Sequence, residues 1–101
     1  MKVLITNAAF GDLESIAQYY SEEGVPHIGT KFTSEIIDHI QTLKSHPDIG
    51  RQVPEFNTPS IRELIHSPFR IVYLREDSVV HIIRVSRSER SLVLPHEEQE
   101  T

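Results

Sequence analysis

Four arginines in the second half of the chain, Arg70, Arg84, Arg87 and Arg90, are the residues best suited to chemistry. A guanidinium stays charged at any biological pH and presents a planar fork of donors that matches a carboxylate or a phosphate. Such a cluster binds anions, but it cannot act as a base. The rest of the ionisable inventory adds little beside it. Histidines stand at 27, 39, 46, 66, 81 and 96 with no pair four residues apart on a helix, cysteine is absent, and every lysine precedes residue 45. Neither a metal site nor a cofactor is expected, and His81 reads as a sheet residue. Arg70 and Arg84 also have a purely structural reading, as partners of carboxylates such as Glu55 or Glu63 on the sheet surface.

The stretch that must position these arginines runs from Phe69 to Leu92. It holds two apolar, strand-like runs, Phe69–Leu74 and Val79–Val85, around the tetrapeptide Arg75-Glu76-Asp77-Ser78, and then an arginine-bearing tail. Charge is unevenly spread over the 101 residues. Residues 1–50 carry three lysines against seven acids, residues 51–90 carry seven arginines against five acids, and Glu97, Glu98 and Glu100 bring the total to −5. A net negative chain is not built to coat nucleic acid, so direct nucleic-acid binding is not expected of it alone. At this length it should fold as one domain, residues 1–94, with an acidic, solvated tail over 95–101. No apolar run approaches a membrane span, and the first residues lack the pattern of a secretory signal, so a cytoplasmic location is expected.

Upstream, Val3-Leu4-Ile5 before Thr6 reads as a short strand. Asn7 or Asp12 could cap a helix in which Leu13, Ile16, Ala17 and Tyr20 form one apolar stripe, stopped by Gly24 and Pro26. Tyr19 and Tyr20 are adjacent and cannot share that stripe, so one of them should be exposed. A second helix begins near Pro26, with Ile28, Phe32, Ile36, Ile40 and Leu43 on one side, and ends at His46-Pro47. The short link makes the two an antiparallel helical hairpin. Arg51–Glu55 could be an edge strand cut short by Pro54, and Ile61–Ile65 is ambiguous between a strand and a helical turn. The predicted fold is α+β, in the order β-α-α-β-β-β, with an antiparallel sheet and the helical pair on one face.

Strict alternation puts Phe69, Ile71 and Tyr73 on one side of the first long strand and Arg70, Val72 and Leu74 on the other. In the second it groups Val80, Ile82 and Arg84 against Val79, His81, Ile83 and Val85. Neither strand has a polar side, so the helices can cover only half of this surface. Leu92-Val93-Leu94, a second copy or a partner chain is expected over the remainder. A turn at Glu76-Asp77 sets Arg84 opposite Phe69. A slip of one residue sets Arg84 opposite Arg70, an arrangement that would require a bound anion between them.

The succession Gly50-Arg51, Val53-Pro54-Glu55, Ile61-Arg62-Glu63-Leu64, Phe69-Arg70-Ile71-Val72-Tyr73, Val79 through Val85, Arg87 and Arg90-Ser91-Leu92 resembles the ParE/RelE superfamily of toxins from bacterial type II toxin–antitoxin systems. The Leu13…Ile16…Tyr20 helix and the Leu43…Pro47…Gly50-Arg51 junction are similar as well, so the resemblance spans Val3 to about Leu94. It implies the same β-α-α-β-β-β fold and a cognate antitoxin. Ile16, Tyr20, Val72, Leu74, Leu92 and Leu94 are the expected antitoxin-binding residues, and Arg84, Arg87 and Arg90 the expected target-binding set.

The resemblance also implies one of two activities. RelE-like members cleave messenger RNA on the ribosome, whereas ParE-like members are associated with inhibition of DNA gyrase. Attack by a ribose 2′-hydroxyl needs a base, an acid for the leaving oxygen, and cations for the phosphorane. Arg70, Arg84, Arg87 and Arg90 could supply only the cations. Leu94 stands where RelE-like chains carry a late tyrosine, and lysines before the hairpin are missing. The ParE-like reading, a binding inhibitor of gyrase without catalytic residues, therefore leads, although Ser86 stands where that pattern often has histidine. The alternatives are a ribosome-dependent ribonuclease, or a non-toxic member kept as a binding module.

Overall fold

The computed structural model describes residues 1–88 and shows β1 (Lys2–Ile5), α1 (Asn7–Glu22), α2 (Pro26–Gln41), a single 3₁₀ turn (Thr42–Lys44), β2 (Arg51–Gln52), β3 (Ile61–His66), β4 (Phe69–Arg75) and β5 (Val79–Arg87). The expected α+β order is present, and the segment Ile61–His66 resolves to a strand. The strand order across the sheet is β1-β5-β4-β3-β2. From β2 to β5 every pairing is antiparallel, as expected, while β1 joins β5 in parallel and makes the five-stranded sheet mixed. Parallel neighbours need a long connection, and here everything from α1 to β4 lies between the two strands.

Thr6 makes the turn from β1 into α1. Its N–H and its hydroxyl both donate to the Ile82 carbonyl, at 3.1 and 2.7 Å, and the same hydroxyl oxygen accepts from Ala9 N–H at 3.3 Å. Thr6 is thus the N-cap of α1, in place of Asn7 or Asp12. The helix ends at Gly24, whose φ of +80° only glycine adopts without strain. Pro26 then occupies the first turn of α2, where its missing N–H costs nothing.

The helical hairpin lies on one face of the sheet. Leu13, Ile36, Ile40, Leu43, Leu64, Phe69, Ile71, Tyr73, Val80, Ile82 and Val85 form the buried core between the two layers. Each fully buried aliphatic side chain of this kind contributes about 1.5–3 kcal/mol. Gly50 has a steric role at the border of this core. A Cβ there would lie 2.6 Å from the Tyr73 hydroxyl, so the close approach requires glycine. In return Gly50 N–H donates to the Tyr73 oxygen at 2.9 Å, and the Tyr73 hydroxyl donates to the Pro47 carbonyl at 2.9 Å. Burial raises the Tyr73 pKa above its ordinary value, so the phenol stays protonated and remains a donor.

The opposite face is covered by the chain's own β2–β3 connection. Val53 is fully buried there with Val72, and Phe56, Ile61 and Ile83 pack around them. This corrects the expectation that a tail, a second copy or a partner must shield that surface. The extended segment after β2 shields it, and Val72, expected to contact an antitoxin, is wholly inside the protein.

The hairpin register also departs from strict alternation. The turn closes on Asp77-Ser78, with Glu76 N–H donating to the Val79 carbonyl at 3.0 Å, one residue later than Glu76-Asp77. Tyr73 then pairs with Ile82 but Val72 pairs with Arg84, so Ile83 is the extra residue of a β-bulge. Arg84 faces neither Phe69 nor Arg70. Phe69 is paired with Arg87 and Arg70 with Ser86. The bulge has a clear physical reason. Unbroken alternation would carry Arg84 into the helix-facing core behind Val80 and Ile82, whereas the extra residue lets Val85 take that place.

A candidate binding groove at the open edge of the sheet

The arginines nominated by the sequence separate into two environments. Arg70 is buried on the sheet face away from the helices. Its guanidinium donates to both oxygens of Glu55 and, at 3.1 Å, to Glu63, whose second oxygen accepts from Arg51 Nε at 2.7 Å. Glu63 is fully buried, so the acid and its two arginines form one compensated unit that ties β2, β3, β4 and the covering segment together. The hydrogen bond that Arg70 donates to Glu55, more than any other influence, holds Arg70 above its already high pKa. Of the three guanidinium nitrogens of Arg70, Nε has no hydrogen-bond partner among the described residues. This is the structural pairing expected for Arg70, with the two carboxylates expected.

Arg84 and Arg87 lie where β5 outruns β1. Parallel pairing with β1 stops at Ile82, and the edge beyond it faces α1. Asp12, on the second turn of α1, takes over that edge. Its carboxylate accepts from Val85 N–H at 2.8 Å, from Arg84 Nε at 2.9 Å and from Arg84 Nη2 at 3.0 Å. One acid thus satisfies an edge amide and grips a guanidinium bidentately. Arg84 is therefore ion-paired as expected, although to Asp12 and not to Glu55 or Glu63.

Between α1 and this end of β5 runs a groove of about 380 Å³. Ile16, Tyr19 and Tyr20 line one wall, Val85 and Phe69 the floor, and Asp12, Ser15, Arg84, Ser86 and Arg87 the polar rim. The aromatic side chains are arranged in a chain. Tyr19 meets Tyr20 edge-on at 5.0 Å, Tyr20 lies 5.5 Å from Phe32, and Phe32 meets Phe69 edge-on at 5.3 Å. The Arg87 guanidinium sits 5.8 Å above the Phe69 ring, within cation–π range. Tyr19 is exposed while Tyr20 is half-buried, the division anticipated for the adjacent pair.

The structure therefore brings Ile16, Tyr20, Arg84 and Arg87 into one groove and leaves Arg70 and Val72 out of it. Leu74 is half-buried and stands on β4 opposite Ile61 and His81, also away from the groove. Arg90, Leu92, Leu94 and the acidic tail lie outside the described residues. Sequence reasoning missed Asp12 and Phe69 as groove residues. Asp12 reads as a helix cap, and its contact with β5 spans 73 residues, so no local signal marks it. Chemically the groove can hold an amphipathic segment with apolar side chains inward and acids against the rim. Its one carboxylate is occupied by Arg84 and a backbone amide, and among the described residues it is lined by no histidine, lysine, glutamate or cysteine that could act as a general base.

A mixed five-stranded sheet carrying a helical hairpin on one face, with an arginine-rimmed groove at its open edge, is the class of domain defined so far. Residues 3–92 match the family described as ParE toxin of type II toxin-antitoxin system, parDE, and the chain belongs to that family. Among solved structures, a chain of the chromosomal ParDE TA system from P. aeruginosa has a similar fold, with a TM-score of 0.75 and 24% identity over 88% of this chain and 97% of that one. No curated protein sequence matches it significantly. No helix among the described residues is long and apolar enough to cross a membrane.

Proposed function

We propose that this type II toxin acts by binding a protein target, DNA gyrase, and that a cognate antitoxin neutralises it by laying an amphipathic segment into the groove between α1 and β5. One observation carries the reading. The groove joins an apolar floor to arginines at a sheet edge, and among the described residues it is lined by no histidine, lysine or glutamate to serve as a base, a composition suited to docking. The antitoxin's segment would set apolar side chains against Ile16, Tyr20 and Phe69 and acidic ones against Arg84 and Arg87. The ParDE system of the similar structure supports a partner of that kind.

Supercoiling by purified gyrase, measured with antitoxin-free protein, tests the target. Inhibition at a modest molar excess is expected, and it should be relieved by the small acidic protein that a neighbouring reading frame is expected to encode. Unaffected supercoiling would exclude gyrase. Codon-phased messenger cuts during toxic expression would move the activity to a ribonuclease.

A further inference from the structure

A pair of histidines lies apart from the groove and has no part in the proposed docking. His39, on the last turn of α2, and His66, at the end of β3, approach with their Nδ1 atoms 3.0 Å apart and their rings tilted by 53°. A hydrogen bond between two imidazole nitrogens requires one to carry hydrogen and the other to be bare. The contact therefore tolerates neutral rings or a single imidazolium, and two imidazolium rings would turn N–H against N–H. We propose that the His39–His66 contact is a proton-operated latch between α2 and the β3–β4 turn, closed near neutral pH and opened when both rings are protonated.

The surroundings define how it responds. Glu35, one turn before His39 on α2, places a carboxylate oxygen 4.0 Å from His66 Nε2, the ring nitrogen that faces away from His39. On the sheet, His66 is paired with Phe69 of β4, and its same-face neighbour on β3 is Leu64. Arg70 follows Phe69 but belongs to the opposite face, where Glu55 and Glu63 engage it. Among the described residues no other charged side chain pairs with either ring, and no group of three ligands there could hold a metal ion. Burial, and after it the proximity of His66, lowers the His39 pKa below its ordinary 6.5.

The sign follows from linkage. A histidine whose pKa is lower in the folded chain takes up its proton more readily when unfolded. Its contribution to stability is therefore complete above pH 6.5 and is lost as pH falls from there towards the folded value. The consequence reaches the groove, because Phe69, the strand partner of His66, also forms its floor and packs against Phe32 of α2.

Urea unfolding of the full chain between pH 7.5 and 5, compared with His39→Phe and His66→Gln, tests the latch. The wild-type folding constant should fall, relative to either variant, by up to about tenfold per pH unit below 6.5. Parallel pH profiles for wild type and both variants would overturn the proposal. Side-chain nitrogen NMR of the wild type provides a readout independent of whether the variants fold. Near neutral pH one Nδ1 should carry hydrogen and the other not, and hydrogen on both Nε2 atoms with both Nδ1 atoms bare would equally overturn it.

Discussion

Arg70 and Arg84 stand on neighbouring strands of one hairpin, and the chain uses them in opposite ways. Arg70 has 6% of its side chain exposed and is enclosed by Glu55 and Glu63, whereas Arg84 has 24% exposed and shares its acid with the open edge of β5. A buried, doubly compensated guanidinium fixes the relative positions of strands, and its charge is spent inside the protein. A half-buried one at a groove rim, engaged by Asp12, stands where an incoming chain would meet it. The difference lies in where each side chain ends. Clustered arginines in a sequence therefore do not make one site until their acids are located.

The largest loss of stability is expected at Arg70. Arg70→Ala takes the guanidinium away from Glu55 and leaves the buried Glu63 with Arg51, and should cost about 3–5 kcal/mol, read from the urea midpoint. Full stability in that variant would remove the structural assignment. Gly50→Ala, at the far end of the same β2–β3–β4 unit, forces the Tyr73 ring and the Glu63 carbonyl apart and should cost about 1–3 kcal/mol.

On the groove side the effects on stability should shrink while the effects on binding grow. Asp12→Ala removes the acceptor of Val85 N–H and of Arg84, and should cost about 1–3 kcal/mol and weaken capture of the antitoxin by opening the edge. Arg87→Ala removes, among its contacts, the cation–π contact with Phe69, itself worth about 0.5–1 kcal/mol at an exposed site. Its effect on antitoxin affinity, measured by calorimetry, should be at least about tenfold, or 1.4 kcal/mol. An Arg87→Ala protein that binds as tightly as wild type would place recognition elsewhere.

The two helices and both long strands were legible in the sequence because apolar residues recur at helical spacing from Leu13 to Tyr20 and from Ile28 to Leu43, and strand residues are dense from Phe69 to Val85. The carboxylates that engage Arg70 were named from the sequence too, as acids on the segments that precede its strand. The groove was only half legible. Ile16 and Tyr20 lie on a visible stripe and Arg84 and Arg87 in a visible cluster, but nothing local says that the two meet. The bulge at Ile83 decides that meeting. One inserted residue changes neither composition nor hydrophobicity, and only the cost of burying Arg84 reveals why it is there. The shielding of Val72 was hidden for a related reason, because Arg51–Glu55 reads as an edge strand cut short by Pro54, and nothing local says that Val53 and Phe56 anchor the second face.

Recognition of this toxin is proposed at the α1–β5 groove and not at the outer sheet face. Hydrogen exchange of the protein with and without its antitoxin tests it most directly. New protection is expected over residues 12–20 and 84–87, with residues 51–65 unchanged. Protection confined to 51–65, with the groove exchanging as before, would contradict it.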